Sequence, residues 1–195
     1  MRALDRFLQR RRAAVAERWI PSGARLLDVG CYDHTLLARV RGRVARATGI
    51  DPAATPRREG NLEIVRGRVP GEPRLPAAGF DCVSALAVVE HVGDPQAFAR
   101  EIFRLLAPGG RAVLTAPHPL VDRILDALIL LRLADGMDAQ AHHGFDVGRL
   151  VPVFQAAGFS LVARRRFQLG LNHLFVFAKP AASGEVKSGD GPRFN

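Results

Sequence analysis

The stretch Arg25-Leu26-Leu27-Asp28-Val29-Gly30 constrains the fold of this chain more than any other. It is a short aliphatic run that ends in a glycine, passes through Cys31-Tyr32-Asp33-His34, and continues as the helix-like pattern Thr35-Leu36-Leu37-Ala38-Arg39-Val40. A strand that is apolar on both faces must be covered on both faces, which is the situation of a parallel strand beneath helices. A strand that turns through glycine into a helix opens a βαβ unit. At such a turn, backbone N–H groups at the helix start can hold the polar part of a ligand.

The alternation then repeats. Strands are expected near 25–29, 44–50, 62–65, 80–86 and 111–116, with two more near 159–166 and 173–179. Helices are expected near 34–41, 95–106, 120–134 and 146–157. Strands separated by helical patterns predict a doubly wound, mostly parallel sheet with right-handed crossovers. Residues 1–20 form an amphipathic helix, with Leu4, Phe7, Leu8, Ala14 and Val15 spaced among arginines and Pro21-Ser22-Gly23 as its stop. The span Val65–Gly79, with Pro70, Pro73 and Pro76, reads as loop. The expected organisation is a helix over 1–20, one domain over 21–180 with a helical insertion at about 119–140, and a disordered small, polar tail over 181–195.

The 195 residues, 48% of them hydrophobic, suffice for one well-buried domain. The net charge of +9 invites a nucleic-acid reading, but only Lys179 and Lys187 among the 28 basic residues are lysine. Such an arginine bias fits a coding preference as well as phosphate binding. Cys31 and Cys82 sit in apolar strand contexts and read as buried, reduced thiols without metal-ligand spacing. No apolar signal segment is visible at the N-terminus. The most apolar run, Leu120–Leu133, carries Asp122, Arg123, Asp126 and Arg132, so no transmembrane segment is expected and a cytoplasmic location is.

Asp51, in Thr48-Gly49-Ile50-Asp51, ends the second strand about twenty residues after Gly30. A carboxylate there is placed to accept hydrogen bonds from two ribose hydroxyls. Together with the segments LLDVGC (Leu26–Cys31), FDCVSALAVVEHVGDP (Phe80–Pro95), LLAPGGRAVLTAP (Leu105–Pro117) and AAGF (Ala156–Phe159), this resembles the class I S-adenosylmethionine-dependent methyltransferases. The resemblance covers about residues 20–180, with the motifs in the right order and at the right spacing. It implies a Rossmann-like seven-stranded sheet of order 3-2-1-4-5-7-6 with the last strand antiparallel, and S-adenosyl-L-methionine as cofactor. It also implies that Asp28, Gly30, Cys31 and Tyr32 line the methionine end, that Asp51 takes the ribose, and that Pro52 lies near the adenine. Ala85 and Leu86 would present backbone to the amino-acid moiety.

Two departures stand out. The family's Gly-x-Gly-x-Gly turn reads Gly30, Tyr32 and His34 here. A bulky residue with φ > 0 costs of order 1–3 kcal/mol. Tyr32 is therefore expected either to force a rebuilt turn or to fold over the cofactor as a lid, while His34 is tolerated. The acidic residue that usually meets the adenine amino group is replaced in Gly67-Arg68-Val69; Arg68 has no acceptor, which leaves backbone at Val69 for that contact.

Methyl transfer needs an oriented acceptor, exclusion of water and, for a hydroxyl or ammonium acceptor, a base. The candidates are His91, after Glu90 at the strand-four exit, and His118, between Pro117 and Pro119. The His142-His143 pair suits a helix start, and no metal arrangement is present. The helix near 120–134 reads as a lid over an apolar acceptor pocket, as an ordinary buried helix, or as a homodimer contact. The reading is methyl transfer to a small-molecule, apolar acceptor. A nucleic-acid (RNA) methyltransferase is the alternative enzyme, disfavoured because Ala87-Val88-Val89-Glu90 lacks the Pro-Pro-aromatic segment of enzymes that methylate base amines. A catalytically inactive, methyltransferase-like binding protein is the third reading, motivated by Tyr32 and Arg68.

Overall fold

The computed structural model describes residues 3–32, 34–72, 74–118 and 147–182. The expected helix over 120–134, the insertion at 119–140, His142, His143, Asp33 and the tail beyond 182 lie outside the described residues. In chain order the elements are α1 (Ala3–Ala16), β1 (Arg25–Val29), α2 (Thr35–Val40), β2 (Arg46–Asp51), β3 (Arg57–Glu59), β4 (Leu62–Arg66) and β5 (Phe80–Leu86). They continue with α3 (Pro95–Leu105), β6 (Leu106–Pro117), α4 (Leu150–Ala156), β7 (Ser160–Phe167) and β8 (Asn172–Ala178). Short 3-10 turns follow α1 (Glu17–Trp19), precede α3 (Val89–His91) and lead into α4 (Val147–Arg149).

The sheet order is β3-β4-β2-β1-β5-β6-β8-β7. Without β3 it is the expected seven-strand order, and β8 runs antiparallel to both β6 and β7. The sequence expectation is corrected by one strand. β3 is the charged tripeptide Arg57-Arg58-Glu59, paired antiparallel with β4 at the sheet edge. It carries no apolar pattern; its existence depends on the tight turn at Gly60 (φ 58) and Asn61, whose side chain donates to the carbonyls of Arg41 and Val44.

Side chains along the central strands alternate between the two faces of the sheet as the pleat requires. Leu27, Val83, Leu114 and Phe175 face one side, where Phe98, Ile102 and Leu105 of α3 and Phe154 of α4 cover them. Leu26, Cys82, Val113 and Leu174 face the other, beneath Ala13 and Ala16 of α1 and Leu36, Leu37 and Val40 of α2. Both faces are covered, which is why these strands read as continuous apolar runs. α3 starts crisply because Asp94 Oδ1 accepts from the N–H groups of Gln96 and Ala97, both at 2.9 Å, with Pro95 at the first helical position. Among the described residues, no helix is long and apolar enough to cross a membrane.

The register brings Val29 of β1 beside Ile50 of β2 and Ala85 of β5, and Leu86 beside Thr115 of β6. The carboxyl ends of the parallel strands therefore share one edge, with β1 at the point where the strand order reverses. Ligands bind at that point in open α/β sheets.

Candidate active site

A cavity of about 420 Å³ opens at this edge. That is within the range of small-molecule sites. Its floor is the end of β1 and its walls are the ends of β2 and β5. Gln9, Arg12 and Ala13 of α1 form the remaining side.

Gly30 is fixed by two independent constraints. Its φ is 75°, and a Cβ there would lie 2.4 Å from Val88 Cγ2. Its N–H donates to Ile50 O at 2.8 Å, which ties the turn to β2. Asp28, 5% exposed, accepts from Ser84 Oγ at 2.6 Å across the β1–β5 pair. At the end of β2, Asp51 Oδ1 accepts from Ala53 N–H at 2.7 Å, an Asx-type turn that fixes the carboxylate at the cavity wall. Gly67 also lies on the wall, and a Cβ there would lie 2.4 Å from Glu72 Oε2. That carboxylate is held below its ordinary range, first by the hydrogen bond from Arg74.

Of the expected cofactor contacts, Asp28, Gly30, Tyr32, Asp51, Pro52, Val69 and Leu86 line the cavity, and so does Arg68. Cys31 and Ala85 lie behind it. Cys31 is 1% exposed, and its Sγ occupies the space that a side chain on Gly49 would need, 2.6 Å from the ideal Cβ. The Ala85 methyl is packed in the α3 side of the core.

The turn carries its strain elsewhere than expected. Tyr32 is not in the left-handed region and stands 67% exposed at the cavity. His34 has φ 53° and ψ 12° and starts α2 without a side-chain cap. The third position of the turn, not the second, is the one that asks for glycine. Histidine is one of the non-glycine residues that enter this region most often, so the substitution is tolerable. A second left-handed residue, Ala87 (φ 56), also lines the cavity; its N–H is shared between Thr115 O at 3.0 Å and Thr115 Oγ1 at 3.1 Å.

His91 lies on the cavity wall with Val88 and Val92, held by the 3-10 turn through its N–H to Val88 O at 2.9 Å. His118 does not line the cavity. It follows β6, donates its N–H to Leu171 O at 2.8 Å, and stacks on His173 with ring centroids 5.3 Å apart. His173, on β8, is 2% exposed and its ring nitrogens find no hydrogen-bond partner among the described residues. Burial, with the neighbouring positive charge of Arg164, pushes its imidazole down to about 4. Sequence reasoning missed His173 and Arg12. The one trace of Arg12 in the sequence is its place on the apolar face of α1, and its Nε donates to Asn172 Oδ1 at 3.3 Å across the width of the fold. Among the described residues no group of three or more His, Cys, Asp or Glu is placed to hold a metal ion.

A family model described as a methyltransferase domain matches residues 1–164. Among curated proteins, the chain is 38% identical over 120 residues to a ubiquinone biosynthesis O-methyltransferase of Caulobacter sp. (strain K31), covering 57% of this chain and 46% of that protein. It is 34% identical over 129 residues to the protein of the same description from Psychrobacter cryohalolentis, covering 58% and 50%. The chain thus spans about half the length of these relatives. An S-adenosylmethionine-dependent methyltransferase structure from Mesorhizobium loti superposes with a TM-score of 0.64 at 18% identity, over 85% of this chain and 96% of that one.

Proposed function

The chain belongs to the methyltransferase-domain family, and we propose that it transfers the methyl group of S-adenosylmethionine to a hydroxyl oxygen of a small, apolar acceptor. The observation that carries this reading is the pairing of Gly30 with Asp51 across one cavity. The backbone at Gly30 is left bare because a side chain cannot fit there. A carboxylate held by its own turn stands at the next strand end. The residues present fit the cofactor's chemistry. Asp51 would accept from the ribose hydroxyls, Pro52 and Val69 would wall the adenine, and the guanidinium of Arg12 would meet the amino-acid carboxylate. Asp28, held by Ser84, would face the ammonium group.

The bound cofactor supplies an electrophilic methyl group on sulfur. The chain's own task is to orient the acceptor oxygen, exclude water and remove one proton. Val88 and Val92 offer an apolar wall, and His91 between them is the group proposed to take the hydroxyl proton as the oxygen–carbon bond forms. His118 lies outside the cavity and stacks on His173, so no part in the transfer is proposed for it. The relatives named for ubiquinone biosynthesis favour oxygen over nitrogen or carbon as the methylated atom. Both cysteines are free and buried, in keeping with the reducing cytoplasm in which we place the reaction.

Isothermal titration with S-adenosylmethionine tests the cofactor half. Saturable binding is expected, and its absence would remove the enzyme reading. Transfer of labelled methyl to hydroxylated aromatic acceptors with apolar tails then tests the second half. Such transfer is expected to fall by about 10²–10⁴-fold in His91→Gln while cofactor binding persists.

A further inference from the structure

We propose that the surface formed by α1, which walls the cavity, and the β7–β8 turn bonded to it docks on the surface of an anionic lipid bilayer, with Leu169 and Phe7 entering the interface. This goes beyond the methyl-transfer reading and does not depend on it.

The β7–β8 turn is unusual. Gln168, Leu169 and Gly170 are consecutive left-handed residues, at φ 52°, 57° and 84°. Turns of this kind normally use glycine or asparagine because side chains fit poorly there. Here the central residue is leucine, and it is fully exposed at 101%. An apolar side chain held outward on strained backbone finds no explanation in the core. An observed outlier of this kind points to a function.

The tip is also braced. Gly170 N–H donates to Phe167 O at 3.2 Å and Leu171 N–H to Gln168 O at 3.1 Å. Gln168 Nε2 donates to the Leu8 carbonyl of α1 at 3.1 Å, and the Asn172 side-chain amide donates to Gln168 Oε1. Leu169 thus projects one residue away from a fixed contact with α1. On the other side of that contact, one residue before Leu8, stands Phe7, which is 57% exposed. Phe7 lies one helical turn from Arg10 and Arg11, both exposed, on the same side of α1.

Among the described residues, the charge around these two apolar residues is predominantly positive. Arg164, Arg165 and Arg166 of β7 are exposed, and the chain from Phe159 to Lys179 contains no acidic residue. On α1, Arg6, Arg10, Arg11 and Arg12 stand against Asp5 alone. Exposed apolar side chains ringed by arginine match the interface of an anionic bilayer, where the apolar groups reach the acyl boundary and the guanidinium groups meet phosphates. Because Asn172 pairs with Pro117, the tip lies at the carboxyl edge of the parallel strands, the edge that bears the cavity. Docking would therefore turn the cavity mouth toward the lipid.

The test is co-sedimentation of the full chain with vesicles of phosphatidylcholine alone or with about one third phosphatidylglycerol. Binding to the anionic vesicles at least about tenfold stronger than to neutral ones, weakened at about 0.5 M salt, is expected. Leu169→Asn keeps a residue suited to the left-handed turn while removing the apolar group. Combined with Phe7→Ser it should lower anionic vesicle binding by about tenfold or more, with S-adenosylmethionine titration and circular dichroism unchanged. A Leu169→Trp chain carrying Trp19→Phe should shift its fluorescence to shorter wavelength on adding the anionic vesicles. Equal binding to neutral vesicles, no effect of the double variant, no spectral shift at position 169, or retention of structured RNA without vesicle binding would each overturn the proposal.

Discussion

The two halves of the sheet's carboxyl edge are built by different means. Around β1, β2 and β4 the construction is by subtraction. Gly30, Gly49 and Gly67 stand where an added Cβ would come within 2.4–2.6 Å of a neighbouring side-chain atom, and carboxylates occupy the strand ends. Around β6 and β8 the construction is by filling, with His118, His173, Phe175 and Phe177 stacked in sequence along one face. The first half presents backbone and fixed charge, which suits a polar ligand. The second is a buried stack that runs from His118 near the edge into the core, and it holds the sheet to α4 rather than lining the cavity.

The sharpest way to break the contrast is to fill the subtracted half. Gly30→Ala places a methyl group in Val88 and forces alanine to φ 75°. We expect a stability loss of about 2–4 kcal/mol and no measurable S-adenosylmethionine binding in calorimetry. Adding Val88→Ala should return part of the stability, since it relieves the clash and leaves the backbone strain. Next in size is Asp51→Ala, which leaves the packing alone. It should weaken cofactor binding by about 100-fold, or about 3 kcal/mol, at unchanged circular dichroism. Unchanged affinity would end the ribose assignment.

How much of this was legible in the sequence follows the same divide. A strand end, its turn and the next strand end are contiguous stretches, so the alternation of strands and helices, Gly30 and Asp51 could be read from local pattern, whereas the strand order followed only from the family resemblance. β3 could not, because three charged residues pair only when the turn at Gly60 delivers them to β4. Arg12 and His173 could not, because their partners are far along the chain: Arg12 meets Asn172 at 160 residues' separation, and His173 meets His118 only through the β6–β8 pairing. The turn itself shows the limit of motif reading. The pattern marks two missing glycines and reads Cys31 as buried, and only the backbone tells that Tyr32 goes to solvent and that His34 bears the left-handed conformation.

The filled half is sharpened by pH. His173 is buried and its imidazole is pushed down to about 4, from an ordinary 6.5. Between those values the unfolded chain binds a proton that the folded chain refuses, so stability rises with pH across that window and falls as pH drops. From pH 7 to pH 5 the loss attributable to this one group is about 2 kcal/mol, read by urea denaturation. His173→Phe keeps a flat ring in the stack and cannot titrate. Its stability should change less over the same interval by about that amount, and an identical slope in both proteins would show that His173 is not held neutral by the fold.

The smallest effect separates the two departures within the turn. Glycine at a left-handed position relieves backbone strain, whereas glycine at an ordinary position only adds freedom to the unfolded chain. His34→Gly is therefore expected to stabilise the fold by up to about 1 kcal/mol, and Tyr32→Gly to destabilise it by about 0.5–1 kcal/mol. The opposite signs, measured by thermal or urea denaturation, are the observable. If glycine at position 32 stabilised and at position 34 did not, the strain would sit where the motif alone would put it. Tyr32 should also report on function where His34 does not. Its ring stands at the cavity mouth, so Tyr32→Gly should alter S-adenosylmethionine affinity, while His34→Gly, away from the lining, should leave it within about twofold.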